Sequence, residues 1–265
     1  MHLPKSLRGA HAALFVLLAL PGAPSGAVDD GAAASAAGAA AEPAPGAGLP
    51  ADIELVYRTT ASARLAGLPL TMHARTTTRW HRDGARYDAS MHTDTIEFSQ
   101  QSRGALQPDG GLAPARYSEK RPFHDSEAVE IDWREAQVRY AGAAPVAAPP
   151  AGAQDRLSLQ FQFASQYRRH PEGFAAGRRI HVQLIGPHAV DDWTFTCVGE
   201  EPVETANGPV VTVHLAARRP VRDTEETMDI WMDKQSYHLP VRIRMVDRNQ
   251  AVIDSVLQKL TLGPG

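Results

Sequence analysis

The chain has 265 residues, with 27 basic against 30 acidic side chains, 43% hydrophobic residues and one cysteine. That mildly acidic balance excludes a nucleic-acid binder, which needs clustered positive charge to displace counterions from phosphates. The lone cysteine excludes a disulfide framework, so the fold must take its stability from a packed core.

Lys5 and Arg8 make a short basic start, and Leu14 to Leu20 (LFVLLAL) is an apolar run. That run is far shorter than the roughly 20 residues needed to cross a bilayer. Pro21, Gly22 and Pro24 break the helix, and Ser25-Gly26-Ala27 places small residues where a signal peptidase cuts. Residues 1–27 therefore read as a signal peptide, with the product expected in the periplasm and without a membrane span after processing. No cysteine follows the apolar core, which excludes a lipid anchor there. Residues 28–50 are nearly all Ala, Gly, Pro and Ser, with no large apolar residue before Leu49. Such a segment cannot offset the entropy of ordering and reads as a disordered tether. Within it, Gly46 to Ala51 formally matches a dinucleotide fingerprint, but no strand precedes it and Pro50 interrupts the helix it needs.

Residues 51–265 read as a single β-rich domain. From Ile53 the pattern becomes short strands separated by turn signals. Leu68–Trp80 and Arg86–Phe98 flank Asp83-Gly84, a hairpin turn that tolerates positive φ, and Asp109-Gly110-Gly111 closes another loop. Val129–Trp133 and Gln137–Tyr140 follow, then Ile180–Ile185, Trp193–Val198 with Cys197 as a small buried hydrophobe, and Val210–Leu215 after Asn207-Gly208. Met228–Met232, Val241–Val246 and Val252–Leu262 complete the series. Val241, Ile243 and Met245 alternate with Arg242 and Arg244, as on a sheet with one buried and one wet face.

Gln154 to Arg169 (QDRLSLQFQFASQYRR) carries two signals. Leu157, Leu159, Phe161 and Phe163 alternate with period two, as in a strand. The segment is long, lacks β-branched residues, opens on Asp155 as a helix cap, ends on Arg168 and Arg169 and precedes Pro171, as in a helix. The helix is the preferred reading. The predicted fold is mainly β: an antiparallel barrel or strongly curved sheet of about eleven strands with one packed helix.

Several blocks in order resemble a bacterial periplasmic family, the domain of unknown function 3108. They are Gly111-Leu112-Ala113-Pro114-Ala115-Arg116-Tyr117 with Glu119 and Arg121, Ile131-Asp132-Trp133, Gly152 to Leu159, and Trp231-Met232-Asp233 leading to Leu239-Pro240-Val241-Arg242-Ile243. Ile131 stands where an aromatic is usual, and Asn249-Gln250 where a glycine turn is commoner. The resemblance implies an exported β-rich domain whose Gln154-Asp155 block opens a helix, and it supplies no activity.

Chemistry-bearing motifs are sparse. The 11 histidines form no His-x-His or His-Glu-x-x-His. His188 with Asp191 and Asp192 lacks a third ligand, so a solvated loop is expected, and neither metal nor cofactor is implied. His73, His81 and His92 suit the wet face of the first hairpin. Glu200-Glu201 before Pro202 reads as a solvated corner. With no nucleophile–base pair in view, the chain is expected not to be an enzyme. Asp155 and Arg156 are the polar pair of most interest. They either line a cavity mouth or serve as a helix cap and its neighbour, and the cap is the simpler reading. The apolar stripes Leu157, Phe161, Ala164 and Leu159, Phe163 on opposite sides of the helix suggest a cavity between sheet and helix. Asp155, Arg156, Leu159 and Phe163 are thus the candidate ligand-binding residues. The expected occupant is a lipid or other hydrophobic envelope molecule, and the alternative is an assembly factor that meets another envelope protein.

Overall fold

The structure, a computed structural model, describes residues 48–65, 68–95, 97–147, 149, 151–221 and 224–263. The expected signal peptide at 1–27 and nearly all of the expected tether lie outside the described residues. The tether's last residues belong to the domain instead. Leu49 is 4% exposed in the core, and the Trp80 indole N–H donates to the Pro50 carbonyl at 3.2 Å.

Strand β1 (Asp52–Leu65) pairs along its length with β2 (Leu68–Asp83). Ile53, Leu55 and Tyr57 point inward on β1 while Arg58 is exposed, the period-two pattern of a sheet with one buried face. Gly84, at φ +55, turns the chain from β2 into β3 (Arg86–Thr93). A meander continues through β4 (Phe98–Leu106), β5 (Leu112–Lys120), β6 (Glu127–Asp132), β7 (Gln137–Tyr140) and β8 (Val146–Ala147). After β9 (Gln154–Asp155) comes the helix α1 (Ser158–Arg169) and a 3-10 turn, Pro171–Phe174. A second meander then runs through β10 (Arg179–Ile185), β11 (Val190–Thr205), β12 (Gly208–Val221), β13 (Thr224–Asp233), β14 (Pro240–Val246) and β15 (Val252–Leu262). Strand β15 returns to pair antiparallel with β1 and joins the two meanders into one sheet of order β8-β7-β6-β5-β4-β3-β2-β1-β15-β14-β13-β12-β11-β10-β9.

Fifteen strands replace the expected eleven, and the sheet is open. Its two ends, β8 and β9, are not hydrogen-bonded to each other, which rules out the closed form of the barrel-or-curved-sheet expectation. The sheet nevertheless rolls until β9 meets the β4–β5 hairpin through side chains. The Gln154 amide donates to the Leu112 carbonyl at 2.8 Å, and the Ser102 hydroxyl donates to the Asp155 carboxylate at 2.5 Å. Bonds of this kind close the seam between β9 and the β4–β5 hairpin where a barrel would have a backbone ladder.

Helix α1 fills the roll. Every residue from Ser158 to Ser165 is buried. Phe161 lies 4.7 Å from Trp80 on the first meander, and Phe163 lies 5.1 Å from Phe195 on the second, both between ring centroids. Residues two apart on a helix point to nearly opposite sides, so the strand-like alternation of Leu157, Leu159, Phe161 and Phe163 belongs to a helix covered on both sides by sheet. The polar residues of α1 dock it to the β4–β5 loop. The Leu112 amide donates to Gln162 at 2.7 Å, and the Ser165 hydroxyl donates to the Gly110 carbonyl at 2.8 Å. The Arg169 guanidinium folds over Gly110, which sits at φ +70, and a Cβ there would lie 1.8 Å from it and displace it.

Two smaller expectations are corrected. Glu200 and Glu201 are exposed as expected, but they lie within β11 and not at a corner, where Glu200 pairs with Lys234 and Glu201 lies 3.0 Å from His214. Val241 does not share the core with Ile243 and Met245. It packs with Trp231 and Val203 beside a register shift between Trp231 and Met232.

Candidate functional site

The neighbours Asp155 and Arg156 leave the seam in different directions. Asp155 is 0% exposed. Its carboxylate accepts from the Leu157 and Ser158 amides at 2.9 and 2.7 Å, while the Asp155 amide donates to the Ser158 hydroxyl at 3.0 Å. This is the reciprocal pattern of a capping box, although the regular turns of α1 open two residues later, with Leu157 at the N-cap position. Ser102, itself bonded to the Tyr87 hydroxyl at 3.1 Å, ties the same carboxylate to β4. Burial pushes the Asp155 carboxyl up to about 6, against the hydrogen bonds from Ser102, Ser158 and Leu157 that favour its charged form.

Arg156 instead crosses the seam to the β5–β6 wall. Its guanidinium lies 3.6 Å from Glu119, a carboxylate only 3% exposed. Glu119 also accepts from the Tyr117 hydroxyl at 2.8 Å and the Gln100 amide at 3.0 Å, and Arg121 lies 3.5 Å from it. A carboxylate this buried needs such company, since removing an unpaired charge from water costs several kcal/mol. Arg121 continues the network to Glu127 at 2.5 Å, and Glu127 meets His188 of the β10–β11 loop at 3.1 Å. Burial would raise the Glu127 carboxyl, but Arg121 and His188 outweigh it and hold the group below its ordinary value. His188 therefore does not gather Asp191 and Asp192 about itself. Asp191 bonds Arg219 at 2.7 Å, and Asp192 takes Gln183 at 2.9 Å. Among the described residues no three His, Cys, Asp or Glu side chains stand close enough to share a metal ion, and no helix is long and apolar enough to cross a membrane.

Arg156 lines a cleft of about 380 Å³ at one open end of the roll. One wall comes from β5 and the β10–β11 loop, and the other from the ends of β12, β13 and β14 with the β14–β15 loop. Its apolar lining includes Leu184, Trp193, Met228, Met245 and Ile253, while Arg121, Arg219 and Arg248 join Arg156 as its cations. The Arg219 guanidinium lies 5.2 Å from the Trp193 ring centroid. This size and apolar-with-few-polar-groups lining fall in the range of small-molecule sites, which favour the mouths of rolled sheets. Two other depressions, about 440 Å³ beside Trp133 and about 600 Å³ beside Arg82 and Arg169, are more open to solvent.

Of the four residues singled out from sequence, only Arg156 lines this cleft. Asp155 is sealed behind it. Leu159 and Phe163, 2% and 0% exposed, are packed in the core, with Phe163 edge-on to Phe174 and Phe195. The cleft residues that sequence reasoning missed come from strands far apart in the chain, and no local motif marks them.

The family described as "Protein of unknown function (DUF3108)" matches residues 56–254. No curated protein matches the chain. Among solved structures, it is similar to a beta-barrel-like protein of the domain of unknown function DUF1849 from Brucella abortus. The two are 11% identical with a TM-score of 0.49, over 82% of this chain and 100% of that one. It is also similar to a DUF1329 family protein from Desulfovibrio piger ATCC 29098, at 13% identity and a TM-score of 0.27, over 82% of this chain and 87% of that one.

Proposed function

This chain belongs to the DUF3108 family, and we propose that it is an exported, non-enzymatic binding module that holds a small hydrophobic molecule of the cell envelope. The observation that carries the reading is the cleft lined by Arg156, which joins an apolar lining to a cationic rim at the mouth of a rolled sheet. The molecule enters at the mouth, beside the helix end rather than between sheet and helix, because α1 already fills that space with Phe161 and Phe163. Export to the periplasm rests on Lys5, Arg8, the Leu14–Leu20 run and the small residues to Ala27.

The test is thermal unfolding of the full chain across a panel of fatty acids, lysophospholipids and phospholipids. A ligand at a hundred times its Kd stabilises by about 2.7 kcal/mol, which for a domain of this size raises Tm by roughly 5–10 °C. Such a rise with at least one lipid class supports the reading, and unchanged melting across the whole panel overturns it.

A second reading, an assembly factor that docks on another envelope protein, draws on Phe123. That side chain is 81% exposed at the tip of the β5–β6 hairpin, on backbone with φ +63. A bulky residue held exposed in the left-handed region is a costly arrangement unless something uses it. Retention of an envelope protein that is lost in Phe123→Ser, with flat lipid melting curves, would favour this second reading.

A further inference from the structure

We propose that the molecule taken by the Arg156 cleft is an anionic amphiphile, an apolar chain ending in a carboxylate or phosphate that Arg156 and Arg248 recognise. This rests on the binding reading above and adds the chemistry of the headgroup.

The case is a balance of donors and acceptors. Four acidic residues line the cleft, and each is already engaged. Glu119 holds Tyr117, Gln100 and the two arginines beside it. Asp191 and Glu226 both bond Arg219. Asp247 accepts the Asn249 and Ala251 amides of its own turn at 2.8 and 2.9 Å. The donors are not consumed in the same way. Among the described residues Arg156 has no acidic partner nearer than Glu119 at 3.6 Å, and its side chain, which lines the cleft, is 39% exposed. Arg248 has no ion pair among the described residues, and its Nη2 is buried without a hydrogen bond. Arg219 Nε and the Thr227 hydroxyl are likewise buried without one, and Arg121 Nε meets Glu119 only at 3.5 Å. Among the described residues, each buried side-chain atom lining the cleft without a hydrogen bond can donate, and none is an acceptor alone.

A buried donor left without an acceptor is destabilising, and guanidinium groups match the paired oxygens of carboxylate and phosphate. A neutral head can accept hydrogen bonds from these donors, but it brings no charge, and bonds to an ionised acceptor are roughly twice as strong. The apolar side, with Met228, Met245 and Ile253, suits a chain and not a bare ion. Methionine's flexible thioether adapts to chains of different shape.

The experiment is calorimetric titration of the full chain with four probes below their aggregation limits: dodecanoate, dodecyl phosphate, the neutral monododecanoylglycerol, and inorganic phosphate. The expected result is that both anionic amphiphiles bind at least tenfold tighter than the neutral one. Raising salt should shrink that preference, and inorganic phosphate alone should bind far more weakly. Arg248→Gln and Arg156→Gln should each erase most of the tenfold preference for the charged chains over monododecanoylglycerol. Arg248 carries the test if loss of the Glu119 partner unfolds the Arg156 variant. Equal affinity for charged and neutral chains overturns the headgroup assignment and leaves the binding reading standing. Binding of none of the amphiphiles overturns both. Inorganic phosphate binding as tightly as dodecyl phosphate overturns the amphiphile. A preference that survives in the folded arginine variants overturns the recognising residues.

Discussion

Replacing Asp155 by asparagine should remove a pH dependence from the stability of the whole domain. The carboxyl is fully buried, and burial raises it from 3.8 to about 6. Because the folded value lies above the unfolded one, the folded chain binds the proton more tightly, and stability from this group falls as pH rises from about 4 to about 6. The size follows from the two values, each unit being about 1.4 kcal/mol, so the wild-type chain loses about 3 kcal/mol through this group across that window. Asparagine keeps an oxygen for the Leu157 and Ser158 amides and carries no titrating proton. Urea unfolding of Asp155→Asn and wild type at pH 4 and pH 7.5 reads the effect as a double difference, in which every other titrating group cancels. The variant should gain about 2.5 kcal/mol on the wild type between the two pH values, less than the full shift because the unfolded carboxyl is already more than half ionised at pH 4. Parallel profiles, with the difference constant to within about 0.5 kcal/mol, an error typical of extrapolated unfolding energies, would refute the claim that Asp155 is a desolvated, titrating carboxyl. Asp155→Ala at neutral pH tests the structural half of the same claim. It leaves two buried backbone donors and the Ser102 hydroxyl without their acceptor, a loss of about 1–3 kcal/mol.

Cys197 is 1% exposed, and burial raises its thiol above the ordinary value. A thiol reagent should therefore label it only after denaturation, and fast native labelling would place β11 the other way round. Gly104→Ala should cost about 1–3 kcal/mol or more by overpacking, since the new Cβ would sit 2.2 Å from the Ala113 carbonyl and 2.8 Å from the Tyr87 ring. An unchanged urea midpoint would show that the bulge after Arg103 relaxes freely. N-terminal sequencing of the exported chain should begin at Val28, and an intact Met1 in the mature pool would contradict the signal-peptide reading.

Most of the sheet was legible in the sequence because its apolar alternation is strong on the second meander and on β1 and β2. The strands that escaped notice are β4, β5, β8 and β9. Their reason is physical. The inward residues of β4 are Gln100 and Ser102, and β5 carries Glu119 inward, because this part of the interior is a polar network around Asp155 and Arg156. A buried polar face cancels the alternation on which strand reading depends. Strands β8 and β9 have two residues each, too few to show a period. The helix was legible from its ends rather than its middle, since a helix wrapped by sheet loses its single apolar stripe. At the site, Arg156 could be singled out beside Asp155. Arg219, Arg248, Met228 and Met245 could not, because only the return of β15 to β1 brings their strands round to face β5.

The central claim is that the cleft holds a small molecule, and native mass spectrometry of the full chain, purified from cells that export it, tests this most directly. An occupied cleft gives a species heavier than the processed chain by one small amphiphile, absent from Met245→Trp, in which the added ring fills the cleft. A wild-type spectrum showing only the bare processed chain, identical in pattern to that of the filled variant, would contradict it.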